Sequence, residues 1–197
     1  MLGKNRERKL SVCQRPFFSP EEVWEMKGAV SLRRAKPEDA QKIVGVLRSN
    51  LSEVSLFQQP VREVRRNLPE FVLAEDSRGS IVGCAQLHWY KRGIAEILAV
   101  SVHPHSQGQG VGKALMKGYI DSALSQNARL VWLATAKPTY FARYGFEPIS
   151  KWELSLGILL HKLRLVFQQP PSRWLPALVG RHTFMKLDTG RYQRYTA

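Results

Sequence analysis

The chain has 197 residues, 44% of them apolar, so it can bury one sizeable core with extensions and is not a disordered chain. Its net charge of +14 sits mainly at the ends: nine basic against four acidic residues over positions 1–36, thirteen against ten over 37–149, and eight against two over 150–197. Its two cysteines, Cys13 and Cys84, lie far apart and in no metal-ligand spacing, so neither a disulfide framework nor a structural zinc site is supported.

Taken in chain order, positions 1–28 read as a basic arm. It carries Glu7, Glu21, Glu22 and Glu25 and has no hydrophobic signal core, which makes a cytoplasmic protein the expectation and a cleaved organelle-targeting segment the alternative. AVSLRRA, 29–35, alternates as a strand does. Pro37, Glu38 and Asp39 then open a helix that carries Ile43, Val44, Val46, Leu47 and Leu51. PVREVRRNL, 60–68, is a short polar helix. FVLAED, 71–76, is a strand closed by the turn SRGS, and IVGCAQLHWY, 81–90, returns antiparallel to it.

After the turn KRG comes IAEILAVSVHP, 94–104, an apolar strand with Glu96 inside it. A glycine-rich turn follows, and then a helix from Gly112 to Ser125 with Ala114, Leu115, Tyr119, Ala123 and Leu124 at helical spacing. RLVWLATA, 129–136, is a buried strand. KPTYFARYGF is a short helix ended by Gly145, and FEPISKWEL, 146–154, is a further strand. Positions 155–167 place Leu156, Leu159, Leu160, Leu163 and Phe167 on one helical face opposite Lys162 and Arg164. This basic amphipathic helix packs on the sheet as a lid, or meets a membrane surface or a partner. A closing strand spans 181–187. No apolar run reaches the roughly 20 residues of a membrane span. The alternation of strands and helices argues α/β or α+β.

A strand running into a glycine turn and a helix aims the helix's first N–H groups at the turn, which is an anion site. The segment HPHSQGQGVGKALM is not a P-loop, because Lys113 is followed by Ala114, and its GxGxG spacing is not that of a dinucleotide fingerprint. It does resemble the signature of the GNAT superfamily of acetyl-CoA dependent N-acetyltransferases. In that signature a strand ends in V-x-P and a short loop leads to [RQ]-x-x-G-x-[GA] at the head of a helix. Here these are Val102-His103-Pro104 and Gln107-Gly108-Gln109-Gly110-Val111-Gly112. AVSLRRAKPEDA and YGFEP, Tyr144 to Pro148, extend the resemblance over about 29–154.

The resemblance implies an α+β fold of the α/β-sandwich type, a mixed and mostly antiparallel sheet flanked by helices. It would comprise 29–197, with a core at 29–154 and the amphipathic helix and closing strand at 155–197. It implies acetyl-CoA as co-substrate, with no metal. The backbone of Val100, Ser101 and Val102 would pair with the pantetheine arm, and Gln107, Gly108, Gln109, Gly110, Val111, Gly112 and Lys113 would hold the pyrophosphate. The acetyl group would pass directly to a primary amine, on a protein lysine or N-terminus or on a small molecule, within a ternary complex.

An amine near pKa 10.4 must lose a proton before it attacks. Glu96 is the candidate base; otherwise it is a buried carboxylate bound to a basic neighbour such as Arg92. Family members often carry a tyrosine acid where this chain has Phe141, and the adjacent Tyr140 is the candidate for that role, with core packing as the alternative. The paired aromatics are similar to the N-acetylglutamate synthase subgroup. His88 reads as a satisfied sheet histidine or as part of the acceptor pocket. His103 and His105 lack a third ligand for a metal. Two other readings are an acyl-CoA-binding adapter or structural subunit with little catalysis, which docks on a larger assembly through its basic ends, and a nucleic-acid binder, which no recognition motif supports; the basic ends also suit contact with an acidic protein or a membrane surface.

Overall fold

The computed structural model describes residues 24–25, 30–50, 59–150, 182–188 and 192. Within the described residues eight strands form one sheet: β1 Trp24–Glu25, β2 Val30–Arg34, β3 Phe71–Asp76, β4 Ile81–Tyr90, β5 Ile94–Val102, β6 Leu130–Thr135, β7 Phe146–Pro148 and β8 Thr183–Leu187. Their order is β1-β2-β3-β4-β5-β6-β8-β7, and every neighbouring pair is antiparallel except β5 and β6. The fold is thus α+β, with helices on both faces of the sheet.

Among the described residues four helices join the strands: α1 Ala40–Ser49, α2 Val61–Arg66, α3 Val111–Ser125 and α4 Pro138–Ala142. In α1 the buried positions Ala40, Ile43, Val44 and Val46 alternate at helical spacing with the exposed Gln41, Lys42 and Arg48, which gives it one face to lay on the sheet. With α2 it covers Phe71, Leu73 and Cys84. The opposite sheet face, carrying Val72, Ala85, Leu87, Ala95 and Ile97, packs on Val111, Leu115, Tyr119 and Ile120 of α3. Burial of Cys84 pushes its thiol up to about 12, so it is an inert core group rather than a nucleophile.

Two polar devices lock these layers. Pro37–Asp39 forms a 3₁₀ turn before α1. The Asp39 carboxylate, 1% exposed, accepts from both Arg33 nitrogens and from the Lys36 N–H at 2.8 Å. Burial alone would raise that carboxyl, but the Arg33 and Lys36 hydrogen bonds outweigh it and hold it below its ordinary value. On the other face the Tyr119 hydroxyl accepts from the Val72 N–H at 2.6 Å and donates to the Ala85 carbonyl, tying α3 into the β3–β4 ladder.

Most predicted elements are present with shortened ends. The first helix stops at Ser49 rather than reaching Leu51, and the strand expected over 146–154 spans Phe146–Pro148. The strand expected over 181–187 runs over Thr183–Leu187 and inserts between β6 and β7. β1 lies inside the segment read as an N-terminal arm and pairs with β2. The amphipathic helix at 155–167 falls outside the described residues.

The sheet is not closed evenly. β5 and β6 pair over only Ile94↔Leu130, Ala95↔Val131 and Glu96↔Trp132. β6 then continues along β8, while β5 runs on to Val102 beside β4. The two strands part after Glu96, and the ladder between β4 and β5 shifts a little further on, between Leu98 and Ser101. Cys84 faces Ser101 but Gln86 faces Leu98, so β5 carries one extra residue, with Ala99 at φ +53°. A bulge of this kind turns the following backbone out of register with its neighbour.

Candidate active site

The end of β5 leads through a 3₁₀ turn, Pro104–Ser106, to the glycines. Gly108 and Gly110 have φ of +77° and +85°, a region that L-residues rarely adopt, and no atom lies within 4 Å of where their Cβ would be. Gly110 caps α3, whose first intrahelical bond runs from the Ala114 N–H to the Gly110 carbonyl. The N–H groups of Val111 and Gly112 come ahead of that bond, at the helix's N-terminus beside the turn, where the Lys113 side chain is exposed. That is an anion cradle at the positive end of a 15-residue helix.

The glutamines of this segment brace the turn. Gln107 donates to the Asn50 Oδ1 at 2.8 Å and to the Val102 carbonyl at 3.1 Å, and Gln109 donates to the His105 carbonyl at 2.9 Å. Asn50, at the end of α1, donates to the Ser101 hydroxyl and the Val102 carbonyl, both at 2.8 Å. Ser101 donates to the Val46 carbonyl at 3.2 Å. α1 is thereby pinned to the end of β5. Asn50 was not singled out from sequence; its position, one residue past an amphipathic helix, is the only signal it offers.

Gly112 differs from the other two glycines, since a Cβ there would stand 2.5 Å from the Tyr140 hydroxyl and 3.6 Å from Val102. Tyr140, on α4, packs edge-on against Phe141 and Tyr144, accepts a hydrogen bond from the Tyr144 hydroxyl at 3.2 Å and lies under the Arg143 guanidinium. Its hydroxyl is thus held at the head of α3, beside the end of β5. Phe141 packs on Phe146 and offers no proton.

Glu96 lies on the other side of the sheet. It is wholly buried, at the point where β5 and β6 part, and its Oε2 accepts from the Tyr90 hydroxyl at 2.7 Å. Burial, with Glu96 and Glu70 nearby, holds the Tyr90 phenol far above its ordinary value, so it remains a donor. The same face carries Glu70, Gln86 and His88, joined by hydrogen bonds of 2.6 Å from Gln86 to Glu70 and 2.9 Å between His88 Nδ1 and Glu70. Glu96 and Tyr140 are therefore not neighbours; the split sheet lies between them. His103 and His105 stack on each other, and no group of three metal-ligating side chains exists among the described residues. No helix among them is long and apolar enough to cross a membrane.

The family model for the acetyltransferase (GNAT) family matches residues 31–146, and the chain belongs to that family. It is an N-acetyltransferase, with acetyl-CoA as its acyl donor. An amino-acid acetyltransferase of Mycobacterium tuberculosis is 29% identical over 120 residues, 60% of this chain and 68% of that protein. An amino-acid acetyltransferase of Ralstonia nicotianae is 32% identical over 117 residues, 58% of this chain but only 26% of its own length. Among solved structures, a Mycobacterium tuberculosis protein in complex with CoA superposes with a TM-score of 0.67 at 25% identity, covering 79% of this chain and 97% of that one. The N-acetylglutamate synthase of Neisseria gonorrhoeae, complexed with coenzyme A and N-acetyl-glutamate, shares the fold at 22% identity, with a TM-score of 0.67 over 82% of this chain and 35% of that one.

Proposed function

We propose that the acceptor is the α-amino group of a small amino acid, acetylated directly within a ternary complex. In this reading the coenzyme pyrophosphate lies at the α3 N-terminus, on the N–H groups of Val111 and Gly112, over Gly108 and Gly110 and beside the Lys113 side chain. The pantetheine arm follows the edge of β5 from Val102 to Val100, where β6 has moved away. The thioester then sits at the split in the sheet, with Tyr140 on the α3 side to protonate the departing thiolate. Glu96, on the opposite side, draws the proton from the incoming ammonium, directly or through water. Backbone N–H groups at the bulge around Ala99 are suited to hold the oxyanion.

The observation that carries this reading is the parting of β5 from β6 beside the glycine turn, with Tyr140 and Glu96 on opposite sides of the opening. Two carboxylates on the Glu96 face favour a cationic ammonium in front of it. The choice of an amino acid over a protein amine is supported by the relatives named amino-acid acetyltransferases. The test is thiol release from acetyl-CoA with free amino acids, lysine-containing peptides and peptide N-termini as acceptors. Turnover with one or more free amino acids is expected, and turnover with peptides alone overturns the choice.

A further inference from the structure

On the sheet face opposite α3 the polar side chains converge. Glu70 ends the 3₁₀ turn Leu68–Glu70 before β3, and both of its carboxylate oxygens are engaged: Oε2 accepts from Gln86 Nε2 at 2.6 Å, and Oε1 stands 2.9 Å from His88 Nδ1. Gln86 is 2% exposed and is itself held by Gln59 Nε2 at 2.9 Å, so this support is built into the core. A carboxylate only accepts, which places the proton of the neutral imidazole on Nδ1 and its basic lone pair on Nε2.

His88 is also the direct cross-strand partner of Glu96. Side chains so placed share a face, with Cβ atoms about 5 Å apart. The ring of His88 stands edge-on to Tyr90, which bonds Glu96. The titratable groups facing His88 include Glu70 from the turn before β3, Glu96 from β5 and Tyr90 from its own strand. Exposure separates the two carboxylates: Glu96 is wholly buried, whereas the side chains of Glu70 and His88 are each 27% exposed. His88, across the strand from the buried Glu96, is the partly exposed group through which a proton can pass to water.

We propose that His88 and Glu70 form the dyad that finally receives the acceptor's proton, with Glu96 as the conduit. This rests on the reading that the amine meets the Glu96 face. The ammonium N–H bond breaks and its proton passes to the Glu96 carboxylate and on to Nε2 of His88, giving an imidazolium paired with Glu70. The freed nitrogen lone pair attacks the thioester carbon; as the adduct collapses the C–S bond breaks and the nitrogen gives up its second proton. The C–S electron pair leaves on the coenzyme sulfur, which takes a proton from the Tyr140 hydroxyl, and the proton released by the nitrogen restores that hydroxyl. His88 then returns its proton to water. His88 is the proton acceptor, and Glu70 is a positioning residue that fixes its tautomer.

The test is kcat/KM against pH for the full chain, wild type and the variants His88→Gln and Glu70→Gln, with acetyl-CoA and an amine that the wild type acetylates. His88→Gln is expected to lower kcat/KM by about 100-fold or more and to abolish the acid limb set by imidazole protonation. Glu70→Gln is expected to move that limb to lower pH, because loss of the anion favours the neutral ring. Calorimetric affinity for acetyl-CoA stays at the wild-type value in both. Variants that keep the wild-type limb and turn over within about twofold of wild type overturn the dyad, as does a parallel loss of coenzyme binding. Should His88→Gln fail to fold, the direction of the shift in Glu70→Gln decides alone. A wild type that acetylates peptides but no amino acid overturns the acceptor class only, and the dyad is then scored on the peptide.

Discussion

The Tyr140 hydroxyl occupies the place where residue 112 would carry its Cβ, 2.5 Å from that point. The third glycine of the turn thus makes room for a side chain of the protein, while Gly108 and Gly110 face open space. Gly112→Ala separates the two roles. Alanine is the better helix former by about 1 kcal/mol, which offsets part of the cost of pushing Tyr140 out of its contacts with Phe141 and Tyr144. Denaturant unfolding should therefore show stability within about 1 kcal/mol of wild type. Displacement of the Tyr140 hydroxyl should nevertheless lower kcat by up to about 100-fold. In Tyr140→Phe the same substitution should add little further loss.

At Gly110 the constraint is the backbone itself, with φ at +85° where α3 begins. A side chain there costs about 1–2 kcal/mol in conformation. Gly110→Glu adds a negative charge to the anion cradle, so calorimetry should find acetyl-CoA binding abolished in a chain that still folds. Unchanged affinity would remove this turn from the coenzyme site.

Glu96→Gln keeps shape and burial but cannot hold a proton. We expect kcat/KM to fall by about 10²–10⁴ at every pH, with acetyl-CoA affinity unchanged, since the cradle lies on the other side of the sheet. A variant that retains wild-type turnover would leave Glu96 as a partner of Tyr90 and nothing more.

The Arg33–Asp39 pair gives a pH signature in stability rather than in rate. The Asp39 carboxyl is held below its ordinary value in the folded chain, so its stabilisation is present above the unfolded value of 3.8 and is lost as pH falls through the lower folded value. Asp39→Asn should cost about 2 kcal/mol near neutral pH, because it removes a buried carboxylate and leaves the partly buried Arg33 with one carboxylate, Glu75, instead of two. It should also flatten the acid limb of the denaturation midpoint. A variant with the wild-type acid limb would show that another carboxyl governs it.

Elements with a local cause were legible. The apolar alternation of β3 and β4 and the glycine turn before α3 depend on neighbours in sequence, and they stand where the pattern placed them. What escaped depends on distant partners. The pairing of Glu70 with His88 joins a turn to a strand 18 residues away, and Asn50 reaches Val102 across 52 residues; no periodicity announces either. Glu96 stood out as the single acid in an apolar strand, but the partner seen for it is the Tyr90 phenol, six residues back across the Lys91–Gly93 turn, which charge counting does not reveal. Gly112 looked like its two neighbours because one-letter spacing says nothing about which group approaches the missing side chain.

The parting of β5 from β6 has a consequence for solubility. An unpaired strand margin normally invites another chain to add on, and proteins hide such margins with charges, bulges or covers. Among the described residues β5, past Glu96, turns such a margin inward, toward the gap between it and β6 and β8 rather than toward the outside of the sheet. A second molecule's strand would have to enter between two strands of the same sheet to use it. A slender extended group needs no such passage, so the arrangement keeps backbone hydrogen-bonding capacity in reserve for a small guest while denying it to another copy of the chain.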